Sequence, residues 1–189
     1  MRVKYNAPTV LTFTFISAGV FVLSLTLFPS LTENWFTVHG RGGFSAGSFQ
    51  SWVTLLTHVI GHKNGDHLIS NFAYILLIGP ILEEHYGSVS LLIMMAITAL
   101  VTGVLNILFF STGLLGASGV VFMMILLASF TNFSEGEIPF TFILILILYI
   151  GRELYNSFSD NNISQFAHIV GGFCGSIFGF FVVPEKRRI

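Results

Sequence analysis

From His85 to Ser134 the chain runs without one Asp, Glu, Lys or Arg. A helix crosses a bilayer with about 20 predominantly apolar residues, so this stretch is too long for a single crossing. Its middle, residues 111–119, is the only part rich in small and turn-forming residues. That divides it into two helices, near 89–110 and 118–131. Uncharged stretches at 5–32, 67–82, 138–151 and 161–184 supply four more, near 9–28, 67–83, 138–157 and 164–183. The expected fold is an all-α polytopic membrane protein with six transmembrane helices. It forms one domain over residues 1–189, without internal repeats or low-complexity runs.

Composition excludes the other classes. Charged residues make up 9% and hydrophobic ones 53%, against about 25% charged in an ordinary soluble domain. A soluble globule lacks its polar surface here, and a disordered chain would need the opposite balance. A net charge of −1 offers no basic face to nucleic acid. The lone cysteine, Cys174, excludes an intrachain disulfide framework and a cysteine-based zinc cluster.

Charge placement sets the expected orientation. Arg2, Lys4, Lys186, Arg187 and Arg188 account for five of the 8 basic residues and lie at the two ends. The positive-inside rule then puts both termini in the cytoplasm, which requires an even number of crossings. Six satisfies it, leaving Arg41, Lys63 and Arg152 outside. The first apolar segment lacks a small-residue cleavage site and is expected to be retained. No Arg- and Ser-rich leader is visible, which favours a prokaryotic plasma (inner) membrane over an organelle. The long link at 31–57, with glycines among Trp35, Phe36, Phe44, Phe49 and Trp52, is expected to be an outer loop lying on the lipid.

Polar residues inside lipid are costly, and so are candidates for function. Three groups stand out: His58, His62, His67 and Asn71; Gly116-Ala117-Ser118-Gly119; and Ala167-His168 with Gly171. Ser118 lies roughly 20 Å above Thr131, and His168 and His67 lie roughly 22 Å above Val183 and Leu82, at 1.5 Å rise per residue. Three crossings thus bring their most polar side chains to one depth below the outer surface. A serine hydroxyl and an imidazole at one level suit nucleophilic catalysis with a general base. His67 and Asn71, four residues apart, share a helix face and can donate to a developing oxyanion; the alternative is a polar pair joining two helices.

The residues around these groups fit the same scheme. Ser118 is expected at a helix N-terminus, where amides favour negative charge. The irregular backbone of 111–117 dips into the membrane and must be covered by protein or line a wet cavity. Gly171, Gly172, Gly175 and Gly179 form a small-residue stripe for close helix approach, and Gly119 opens the side of the serine. His58 and His62 have the i, i+4 spacing of zinc ligands but no HExxH, and no metal or cofactor is expected. No carboxylate completes a triad. Asp66 is expected to cap the second helix, Asp160 falls in an outer loop, and Glu83 and Glu84 fall at the inner end. A Ser118–His168 dyad remains.

These residues together resemble the rhomboid family of intramembrane serine proteases. The resemblance runs from about Trp52 to Val183, through His62-x4-His67-x3-Asn71, Glu83-x3-Gly87, Gly116-Ala117-Ser118-Gly119 and Ala167-His168-x2-Gly171-x3-Gly175. It implies the minimal six-helix bacterial form, a rhomboid-like bundle with a long outer loop L1. It also implies Ser118 as nucleophile and His168 as base. His67, Asn71, Gly116 and the Ser118 amide would bind the oxyanion or the substrate. Glu83 would be a structural acid holding the loop after the second helix. Where the family often carries Tyr one turn after the nucleophile, this chain has Phe122, and Trp52 is followed by Val53 rather than Arg. The implied partners are the bilayer and single-pass transmembrane protein substrates, cut near their outer ends. The fifth segment would be a mobile wall and 156–164 a cap. A non-proteolytic escort for membrane clients and a small histidine-relay transporter are the rival readings.

Overall fold

A computed structural model describes residues 3–131, 138, 140–156 and 162–184. Arg2, the acids Glu135 and Glu137, Asp160, most of the expected cap at 156–164, and the basic residues at 186–188 lie outside the described residues. The helices are α1 (Pro8–Thr26), α2 (Leu31–Trp35), α3 (Phe49–Thr57), α4 (Gly65–Tyr86), α5 (Ser88–Phe109), α6 (Ser118–Ala128), α7 (Phe140–Asn156) and α8 (Asn162–Phe181). Among the described residues the architecture is all-helical, apart from one antiparallel bridge between Val38 and Leu114.

α1, α4 and α5 are long and apolar enough to cross a membrane, while α6 and the apolar stretch Gln165–Phe181 are shorter. The burial pattern is that of a bundle in lipid. Large apolar side chains such as Leu77, Ile81, Val89, Leu92, Phe173 and Phe181 face outward, whereas Asn71, Glu83, Thr98, Thr102 and Asn106 are buried. On a soluble protein so much exposed apolar surface would drive association.

α6 sits at the centre and packs against α4, α5, α7 and α8, with its largest contact on α8. Beyond Ser118 in its first turn it is apolar on every side, and Gly119, Val120, Val121, Met123, Met124, Leu126 and Leu127 are all buried. Past its first turn, a helix of that composition has no face to give to water. Its 11 residues span only about 16 Å at 1.5 Å each. The turns at 129–131 complete the expected segment at its lower end.

Two features correct the sequence expectations. Asp66 is not the cap of α4: Asn64 is, its side chain accepting from the His67 amide at 2.8 Å. The helix starts at Gly65, so Asp66 falls in the first turn, where its charge meets the helix dipole. The link at 31–57 is also more than a loop resting on lipid. It contains α2 and α3, and Thr37, Val38 and Gly40 are buried. Trp35, Phe49 and Trp52 do remain exposed.

At the opposite end of α4, Glu83 ties three elements together. Its carboxylate accepts from the amides of Thr9 (2.8 Å) and Val10 (3.0 Å) and from the Ser88 hydroxyl (2.6 Å). The residue before α1, Ala7, offers no side-chain cap, so Glu83 supplies from another helix what the local sequence lacks. Gly87, at φ 84°, makes the turn from α4 to α5, a conformation glycine adopts without steric cost. Removing the carboxylate strands three donors. Glu83→Ala is therefore expected to lower the stability of the detergent-solubilised protein by about 2–4 kcal/mol, and Ser88→Ala by about 1 kcal/mol, measured by chemical or thermal unfolding.

Candidate active site

α6 begins where it does because of Gly116. That residue has φ 115°, which ends the preceding extended backbone. Ala117 follows at the cap position without a side-chain hydrogen bond. Its carbonyl accepts from Val121 at 2.9 Å, opening the helix, so Ser118 stands in the first turn among amides without intrahelical acceptors. Ser118 is half-buried.

Held by the link at 31–57, by His58 and by α5, the irregular segment ahead of Ser118 satisfies its backbone through groups outside itself. Val38 and Leu114 exchange both amide–carbonyl bonds at 2.9 Å, and Arg41 donates to the Phe110 carbonyl at 2.6 Å. The Gly116 amide donates to the His58 carbonyl at 2.9 Å. From α5, Asn106 Nδ2 donates to the Thr112 carbonyl at 3.1 Å. Sequence reasoning passed over Asn106. The signal was there: it is an amide within an apolar span, which the rule for buried polar residues flags.

α8 presents the histidine. A Cβ on Gly171 would overlap the Gly119 carbonyl, and one on Gly175 would overlap that of Met123. The two backbones therefore touch, as small residues permit. A Cβ on Gly119 would lie 3.4 Å from the Ala167 carbonyl, so Gly119 sits against the turn of α8 that carries His168. The His168 ring stacks on Phe122, with centroids 4.2 Å apart and planes 23° from parallel. Phe122 and Ser118 are four residues apart and share one face of α6. The ring is thereby held on the side of the helix that bears the hydroxyl.

From α4, the His67 ring lies against the Gly116 backbone: a Cβ there would sit 2.6 Å from Nε2. Asn71, one turn further on, is buried and donates to His62 Nε2 at 3.2 Å. His67 and His62 meet edge to face at 5.0 Å between centroids. Ser118, His168, His67 and Gly116 are thus gathered at the end of the bundle where α4 and α6 begin, with Asn71 one turn along α4. Glu83 is 16 residues from His67 along α4, roughly 24 Å away by helical rise. Among the described residues Asp66 and Glu84 are exposed on α4.

His58 and His62 are engaged by protein groups. His58 Nδ1 lies 3.2 Å from the Thr54 carbonyl, and its Nε2 lies 3.4 Å from the Thr102 hydroxyl. His62 Nδ1 lies 3.0 Å from the Ile60 carbonyl. Burial pushes each imidazole down from 6.5 to about 4, only partly offset by these carbonyls. Both are therefore neutral at ordinary pH.

The Rhomboid domain family matches residues 49–185. Among known proteins, Rhomboid protease GlpG of Haemophilus influenzae is 24% identical over 136 residues, covering 70% of this chain and 70% of that protein. YdcA of Bacillus subtilis is 28% identical over 146 residues, covering 72% and 70%. The chloroplastic Rhomboid-like protein 11 of Arabidopsis thaliana is 22% identical over 177 residues, 84% of this chain and 63% of that one.

Two outcomes follow from the geometry. Gly171→Val drives a branched side chain into the Gly119 carbonyl and should cost about 1–3 kcal/mol of stability, read by thermal unfolding, with Gly171→Ala shifting it less. The second concerns acid. Between pH 6.5 and about 4 the unfolded chain binds protons at His58 and His62 that the folded chain refuses. Stability is therefore full above pH 6.5 and falls as pH drops through that window. His58→Gln should flatten the dependence of the unfolding midpoint on pH.

Proposed function

The chain belongs to the rhomboid family, and on that premise we propose that it is an intramembrane serine endopeptidase acting through a Ser118–His168 dyad. The family and the apolar helices α1, α4 and α5 make it an integral membrane protein. In our reading α1, α4, α5, α6, α7 and α8 are the six crossings of a single domain. The link carrying α2 and α3 is the long outer loop, and both termini are cytoplasmic at the plasma membrane. The observation that carries the proposal is the stack of His168 on Phe122, one turn after Ser118.

The chemistry follows from the groups in place. Ser118 Oγ attacks the scissile carbonyl while His168 takes its proton. Negative charge on the carbonyl oxygen is met by donors from His67, Asn71 and the Ser118 amide at the start of α6. Donors fixed in advance stabilise that charge strongly because they need not reorient as it develops. His168 then protonates the leaving amine, giving an acyl-enzyme. Water, deprotonated by His168, attacks the ester, releases the new carboxylate and restores the Ser118 hydroxyl. Phe122 supplies a flat apolar face for the imidazole without a hydroxyl to compete for its nitrogens. No metal or cofactor enters the scheme.

A substrate helix keeps its carbonyls hydrogen-bonded and must unwind locally to expose one. Single-pass proteins with weak helical segments near the outer face are the substrates this implies. Purified protein in detergent should cut such a model substrate. Ser118→Ala should abolish cleavage, and His168→Ala should lower kcat on the order of 10³-fold or more. Cleavage retained by Ser118→Ala would remove Ser118 from the mechanism, and a folded protein that cuts nothing would favour an escort role.

A further inference from the structure

His62 has no part in the scheme above, yet it touches both side chains proposed to hold the oxyanion. It is 2% exposed, in the turn between α3 and α4. Its Nδ1 faces the Ile60 carbonyl at 3.0 Å. A carbonyl only accepts, so Nδ1 carries the ring proton. Nε2 is then a lone-pair acceptor, and Asn71 Nδ2 approaches it at 3.2 Å. Turning the Asn71 amide over would set Oδ1 against that lone pair, leaving two acceptors face to face in a buried pocket. The direction of the Ile60 bond thereby fixes the tautomer of His62, and the tautomer fixes which way the Asn71 amide points.

The rest of the pocket holds the ring still. His62 meets His67 edge-on at 5.0 Å and Phe72 at 5.6 Å between centroids. Burial lowers its pKa to about 4, so the neutral ring that accepts from Asn71 persists at working pH. A protonated ring would donate from Nε2 and reverse the pairing.

The geometry points to His62 as a positioning residue, which accepts one Asn71 N–H and packs against His67 so that the second Asn71 N–H is aimed at the developing oxyanion. This rests on the reading of Asn71 as an oxyanion donor. A purely architectural histidine, pinning the start of α4 to the preceding turn, would affect stability and would act independently of Asn71.

A double-mutant cycle on the purified full chain separates the two, with kcat and KM measured on a model transmembrane substrate and unfolding midpoints recorded alongside. His62→Leu is expected to lower kcat by about 10- to 100-fold, the scale of a small misplacement of a catalytic group, with KM changed by no more than about twofold. In the Asn71→Ala background the same substitution should cost nothing further, because the residue through which His62 acts is gone. His62→Gln keeps an acceptor within reach of Asn71 and should recover kcat to within about threefold of the unsubstituted protein.

Losses that multiply in the double variant, or a change confined to KM, would overturn the assignment. Should His62→Leu not fold, the Gln variant carries the cycle. A folded Gln variant that loses as much kcat as Asn71→Ala overturns the proposal, and one that keeps its kcat supports it. The Ser118→Ala control keeps the two readings apart. If it still cleaves, the site itself is misread. If it is inactive while the losses multiply, only the role of His62 falls.

Discussion

The contact on which the rest of the structure depends is backbone against backbone. α6 and α8 approach so closely that a single methyl on Gly171 would occupy the space of the Gly119 carbonyl. Within lipid no hydrophobic force pulls helices together, so such packing has to come from surfaces that fit. The same contact fixes the register of the two helices. It sets Gly119 beside Ala167 and lays His168 over Phe122. Packing and the proposed chemistry therefore share their residues: what joins the helices also brings an imidazole to the face that carries a hydroxyl.

A short α6 creates a second requirement. Starting a helix partway into the bundle leaves irregular backbone ahead of Ser118, and backbone away from water needs partners. Here three partners come from far along the chain, Val38, Arg41 and His58, and one, Asn106, from six residues back at the end of α5. The link at 31–57 is thus a support for the loop that presents Ser118. Glu83 performs a comparable service at the other end of α4, capping α1 and holding the start of α5. Both ends of the bundle use buried polar groups with paired atoms, as expected where solvent gives no help.

The long helices were legible in the sequence because uncharged runs of spanning length have few other structural outcomes. Expected limits of 67–83 and 89–110 meet observed helices Gly65–Tyr86 and Ser88–Phe109. α2 and α3 were not legible, since five and nine residues are too few for periodicity to show. The cap of α4 was misassigned because Asn64 and Asp66 are both good capping residues two positions apart, and only the first helical residue decides between them. The cover over the segment ahead of Ser118 left no local trace. A bridge between Val38 and Leu114 has no pattern in either neighbourhood. The meeting of α6 with α8 was readable from rise per residue and the glycine spacing. The bond from Asn71 to His62 was not, because i, i+4 geometry pairs Asn71 with His67 and says nothing of the turn before the helix.

The central claim is that one hydroxyl, on Ser118, is made nucleophilic by the imidazole of His168. The most direct measurement is reaction of the folded protein with a fluorophosphonate, followed by mass-spectrometric mapping of the adduct. The account predicts a single phosphonylated residue, Ser118, and no labelling when His168 is replaced by Ala. An adduct on another residue, or undiminished labelling without His168, would contradict it.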